Sequence, residues 1–270
     1  GGQSMNSRGY LVKSLVVVIL GTLCTTWLVG LITIHRLPIH GMWIGISYHF
    51  VSALSSLMLI SIFCPGVFAR FRFRISRQKM TSGGAVLALL LAPELLHISL
   101  MHNSMSRIFQ GVIFTLWIGI DEEIFSRGFI FGSLEHYGVG VAAAISSVHF
   151  GLLHLGNYVW GGQSRAYTAS QIVSAAAFGY LCAGLMIYTG TIWMPIVLHG
   201  LSDLPMVLQS SAQYTQQVTG SADWIGAIAS AIFYVGLGWL LIHASKSDGF
   251  EKLRAVAFKF GLLEQKSTRA

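Results

Sequence analysis

Of the 270 residues, 54% are hydrophobic and only 10% are charged, whereas a water-exposed globular domain carries about 25% charged residues. Such a deficit excludes an ordinary soluble domain, because most of the surface has no water to meet. The net charge of +7 does not call for a nucleic-acid partner, since the basic residues flank apolar blocks, where they hold topology and meet anionic lipid.

The chain opens with GGQS before Met5, which has the character of a tag remnant, so residues 1–13 read as that remnant and a cytoplasmic N-terminus. Apolar blocks near the 20-residue length of a bilayer-crossing helix follow at about 14–34, 42–66, 84–103, 108–134, 139–156, 169–188, 190–208 and 222–244. The first is too long for the apolar core of a signal peptide and lacks a small-residue cleavage signal, so it is expected to be retained. Between the second and third, RFRFRISRQK (70–79) reads as a lipid-facing cytoplasmic loop. The stretches 157–168 and 209–221 are polar and rich in Gly, Ser and Gln, as connections should be. After 244 comes a cytoplasmic tail, 245–270, in which LRAVAFKFGLL is expected to form an interfacial amphipathic helix. Cys24, Cys64 and Cys182 have neither disulfide nor thiolate-metal spacing and read as packing residues.

The basic residues test this count. Of 17 Lys and Arg, 13 fall before the first span, between spans two and three, or in the tail; Arg36, Arg107 and Arg165 fall on the other side, and Arg127 lies within a span. The asymmetry predicts both termini in the cytoplasm, and the layout suits a bacterial inner membrane. The expected fold is therefore all-α: a polytopic membrane protein of about eight transmembrane helices enclosing a polar intramembrane cavity, with one membrane domain over 14–244.

Ionisable residues in lipid cost about 2.5–3.5 kcal/mol each on insertion scales, so they face the bundle interior and mark function. They concentrate in four places: Glu94 with His97, the run DEEIFSR (121–127), His149 with His154, and His199 with Asp203. Glu123 and Arg127 are four apart with the acid first, the better orientation for an ion pair within a helix. Glu122 points about 100° away from Glu123 and needs a partner from another helix. A desolvated carboxylate is a stronger base, which suits a general base near neutral pH; an ionic lock of Glu122, Glu123 and Arg127 is the plainer alternative. Gly128 and Gly132 have a small-xxx-small spacing that permits close helix approach. Phe150 and His154 share a face, whereas His149 lies about 140° away, so at most one of these histidines enters a given site. His199 and Asp203 share a face too, and a carboxylate beside an imidazole fixes its tautomer and stabilises its charged form. Pro195 and Pro205 predict distortion of that helix near its polar side.

Together, Glu122-Glu123-x-x-x-Arg127, Phe150-x-x-x-His154 and His199-x-x-x-Asp203, in this order on three spans, resemble the CAAX protease and bacteriocin-processing family, which includes the Ras-converting prenyl-protein proteases and the bacterial Abi-type membrane proteins. The resemblance covers 121–203 by motif and most of the chain by span layout. It implies an intramembrane endopeptidase with Glu122, His154, His199 and Asp203 as catalytic residues and Glu123, Arg127 and Phe150 in support. Glu122 would activate a water that His154 positions, and His199 with Asp203 would stabilise the oxyanion. The implied substrate is a prenylated CAAX-type C-terminus or a hydrophobic or leader peptide. Two histidines and a carboxylate with water would also satisfy a catalytic zinc ion, whose ligands would come from His154, His199, Asp203 or Glu122. The HExxH arrangement of soluble zinc proteases is absent, and the resemblance favours a metal-free, glutamate-activated water.

Two other functions fit the same residues. One is a non-catalytic scaffold or bacteriocin-immunity protein that regulates a membrane-protein partner. The other is a proton-coupled transporter with Glu94, His97, Glu122 and His154 as a relay, although no duplicated half or paired interrupted helices support it. Glu94 and His97 fall outside the family motifs and are expected to satisfy each other or to line the cavity rim.

Overall fold

A computed structural model describes residue 14 and residues 16–23, 42–71 and 75–245. The N-terminal remnant, most of the first span, Cys24, Arg36, Arg72, Arg74 and the amphipathic tail lie outside the described residues, and 16–23 is helical.

Helix α1, Met42–Phe63, ends at Cys64-Pro65 and passes into a 3₁₀ helix, Pro65–Phe71. Helix α2 is Arg77–Leu100, starting ahead of the expected 84. The Ser76 hydroxyl accepts from Lys79 N, and this cap draws Arg77 and Lys79 out of the supposed loop and into the helix. Helix α3, Met105–Glu123, is capped by Ser104 and runs on through a π-helical segment, Ile124–Ile130, into α4, Phe131–Leu134. Gly138, at φ 108°, turns the chain into α5, Val139–Leu153. His154 interrupts that span before α6, Leu155–Val159. Helix α7, Arg165–Thr189, is capped by Ser164 and ends on left-handed Gly190. Helix α8 is Trp193–Leu208, α9 is Ser211–Thr219 and α10 is Trp224–Ala244.

The stretch 209–221, expected as an irregular connection, thus contains a helix. Its cause is a capping box, in which the Ser210 hydroxyl accepts from Gln213 N and the Gln213 side chain accepts from Ser210 N. Pro195 sits in the first turn of α8, where its missing N–H is harmless, and Pro205 lies inside the same helix near its end.

Five helices among the described residues are long and apolar enough to cross a bilayer: Trp43–Phe63, Arg77–Leu100, Val139–Val159, Arg165–Thr189 and Trp224–Ala244. The expected count of about eight is not confirmed, since most of the first expected span lies outside the described residues. The fourth expected span is divided by the π segment, and α8, at 16 residues, is shorter than a full crossing. The all-helical membrane architecture stands.

Helix α7 is the central post: 61% of its span is buried, against 17–33% for the other four. It packs against α10, α5, α8 and α2. Apolar side chains gain nothing by leaving lipid for one another, so helices in a membrane associate where small residues let backbones touch. A Cβ on Gly184 would stand 2.6 Å from Gly238 O, which joins α7 to α10. A Cβ on Gly119 would stand 2.7 Å from Ile196 O, and one on Gly200 would stand 2.9 Å from Thr115 O, which joins α3 to α8. Gly128 and Gly132 do admit close approach, to Ile60 and to Val67 respectively. At the same end of the bundle, Arg70 forms a two-point ion pair with Glu135, and Trp193 Nε1 donates to Phe71 O at 2.8 Å.

Gly119→Val and Gly200→Val are each expected to destabilise the bundle by about 1–3 kcal/mol or more, because the obstruction is backbone that cannot move aside. Gly84→Ala, with nothing within 4 Å, is the neutral control. Thermal unfolding of the detergent-solubilised variants checks the ranking.

Candidate active site

The α3–α8 contact brings the acidic end of α3 alongside His199. Nδ1 of His199 lies 2.8 Å from Glu123 Oε1. On the far side of the ring, Nε2 lies 3.5 Å from Glu122 Oε2 and 3.6 Å from Asp203 Oδ2. Adjacent glutamates of one helix thus reach the two nitrogens of one imidazole. A carboxylate only accepts, so an ionised Glu123 draws the Nδ1 proton to itself and leaves Nε2 facing Glu122 and Asp203. Phe150 and Phe178 stand edge-on to the ring, with centroids at 5.5 and 5.4 Å, and fix its plane.

Exposure separates two kinds of carboxylate. Glu123 and Arg127 are fully sealed, with Arg127 Nη1 3.2 Å from Glu123 Oε1, whereas the Glu122 and Asp203 side chains are 33% and 28% exposed. The guanidinium of Arg127 also lies 4.7 Å over the Phe150 ring, in room that Gly179 leaves: a Cβ there would stand 2.6 Å from Nη2. The π segment begins immediately after Glu123, and all seven of its residues are buried. Such segments are frequent at functional sites.

His154 ends α5, with Nδ1 held 3.1 Å from Phe150 O and its ring edge-on to Phe150 at 5.2 Å. It is half-buried and within electrostatic reach of His199 and Asp203. His149 turns elsewhere, with Nε2 3.0 Å from Thr22 Oγ1 and its ring beside Phe125. Glu94 is half-buried within electrostatic reach of His97 and Asp203. His97 lines a polar cavity of about 760 Å³ with Arg107, Gln209 and Gln213, where the α2–α3 connection meets α9.

The structure therefore gathers Glu122, His199 and Asp203 around one imidazole edge, with Glu123, Arg127 and Phe150 behind it and His154 beside Phe150. Two contacts escape the motif reading. Phe178 carries no sequence signal that separates it from other apolar core residues. His49 of α1 lies 3.0 Å from Asp121, and an imidazole in an otherwise apolar span was itself a signal. Among the described residues, no group of three His, Cys, Asp or Glu side chains is arranged to hold a metal ion.

The class defined by fold and site is an all-helical integral membrane protein with an acid–imidazole cluster between its helices. Residues 104–205 match the family described as Rce1-like, type II CAAX prenyl endopeptidase, a protease family, which bears out the resemblance read from the motifs. That segment spans α3 to α8 and contains every residue of the cluster. No curated protein and no solved structure is significantly similar to the chain.

Removing one partner of a sealed ion pair strands the other, at about 3–5 kcal/mol. Arg127→Met is therefore expected to lower stability by that amount, and Asp203→Asn to leave it nearly unchanged. The two midpoints in a thermal unfolding series should differ clearly; equal midpoints would contradict the division into sealed and open groups.

Proposed function

We propose that this cluster is the catalytic centre of an intramembrane endopeptidase that hydrolyses a peptide bond with a glutamate-activated water. Glu122 accepts a proton from the water as it attacks the scissile carbonyl, and returns a proton to the departing amine. His154 orients the water. His199, its Nδ1 proton directed at Glu123, presents Nε2–H to the developing oxyanion when protonated, and Asp203 stabilises that charged form. Arg127 and Phe150 hold Glu123 and the ring in place. The single observation that carries this reading is that two carboxylates on one imidazole edge are open while the pair behind the other edge is sealed.

The substrate class follows the matched family: a C-terminal CAAX-type prenylated peptide, or a hydrophobic or leader peptide. The distribution of basic residues supports a bacterial inner membrane with both termini in the cytoplasm.

The test is purified protein in detergent with a quenched farnesylated CAAX peptide and a panel of leader peptides, with and without chelator. Glu122→Gln is expected to lower kcat about 10²–10⁴-fold while the protein stays folded. His199→Gln should lower it about 10²–10³-fold, and chelator should have no effect. Loss of turnover in chelator would instead establish a metal. A Glu122→Gln variant that keeps full biological activity would favour a non-catalytic scaffold or immunity protein acting on a membrane partner. Glu94→Gln is expected to retain turnover, since Glu94 lies outside the cluster; complete loss would place it in the chemistry.

A further inference from the structure

Asp121 carries a third consecutive carboxylate into the same stretch of membrane interior, and the mechanism above leaves it unused. Its Oδ2 lies 3.0 Å from Nδ1 of His49 on α1, and the two side chains are only 7% and 14% exposed. The His49 ring stands edge-on to Tyr48 and to Phe114, with centroids at 5.0 and 5.9 Å. Helices α1 and α3 are in tight contact at this level, since a Cβ on Gly45 would come within 2.5 Å of the Phe114 ring. His49 and Asp121 both lie within electrostatic reach of Glu122, and His49 acts on Asp203 as well.

Consecutive helical residues are rotated by about 100°, so the three carboxylates fan out and take partners from different directions. Glu123 turns to Arg127 and His199, Glu122 to Nε2 of His199, and Asp121 to His49. Charges in an apolar interior persist only when paired. Without His49, the Asp121 charge would act on Glu122 across a low-dielectric gap, where repulsion between like charges is strong. It would also add to the demand on His199, which already serves Glu122, Glu123 and Asp203.

We propose that His49 is a positioning residue of this site: by holding Asp121 on the α1 side, it keeps that carboxylate from disturbing Glu122 and leaves Nε2 of His199 to Glu122 and Asp203. The inference rests on the peptidase reading above, and it makes the second described helix, well before the segment matched to the family, part of the working site.

The experiment measures kcat and KM on the cleaved peptide for wild type, His49→Phe and His49→Phe/Asp121→Asn, with thermal unfolding as the check on folding. His49→Phe keeps the ring packing but strands Asp121, and is expected to lower kcat about tenfold or more with KM moved less than about twofold. Adding Asp121→Asn removes the stranded charge and is expected to recover most of the lost kcat. A merely structural role would leave the double variant no better than the single. Should His49→Phe not fold, His49→Gln and His49→Gln/Asp121→Asn make the same comparison with a hydrogen-bonding side chain retained. A wild type that cleaves while the single variant keeps its kcat, or while the double fails to recover, overturns this inference alone. A wild type that cleaves nothing, or a Glu122→Gln variant that cleaves normally, overturns the peptidase reading and this inference with it.

Discussion

Everything at the site depends on how closely α3 and α8 approach. Gly119 and Gly200 face each other with backbone nearly touching backbone, and the functional side chains flank that contact: Glu122 and Glu123 one turn beyond Gly119, His199 directly before Gly200. Larger residues would separate the helix axes, and an imidazole is too short to bridge a wider gap to two carboxylates. In lipid, close packing of this kind is also the main source of helix association, so the contact that stabilises the bundle is the one that assembles the cluster.

The charged groups divide the labour by burial. Glu123 and Arg127 sit in a sealed compartment shaped by Gly179 and the face of Phe150, and Glu123 touches the open side through the His199 ring. The ring is the wall between the compartments: one nitrogen belongs to the dry side and the other to the open side. Its edge contacts with Phe150 and Phe178 make that wall rigid.

Much of this was legible in the sequence. The apolar blocks announced membrane helices, and the i, i+4 spacings put Glu123 with Arg127 and His199 with Asp203, because such pairs are set within one helix. Contacts between helices were not legible. The bond from Glu123 to His199 and the pairing of Asp121 with His49 depend on crossing geometry that periodicity does not carry. Helix α9 was hidden by composition: Gln and Ser look like a loop until Ser210 and Gln213 are recognised as a cap. The missed start of α2 has the same cause, a single serine, Ser76, outweighing the basic residues that follow it. The break at His154 was also invisible, since nothing in the apolar run 139–156 marks its end.

The π-helical segment, Ile124–Ile130, governs how the two ends of its helix are phased. Above it stand the carboxylates; Gly128 within it and Gly132 below it seat the chain on α1 and the turn that follows, and Glu135 is tied to Arg70. A π turn holds one more residue than an α turn, so tightening the segment to regular α geometry with every residue kept would rotate one end against the other by about 100°. With the lower end anchored, the whole rotation would fall on the acids, turning them from His199 toward lipid. The wide turn between the acids and those anchors is therefore as necessary to the cluster as the identity of any residue in it.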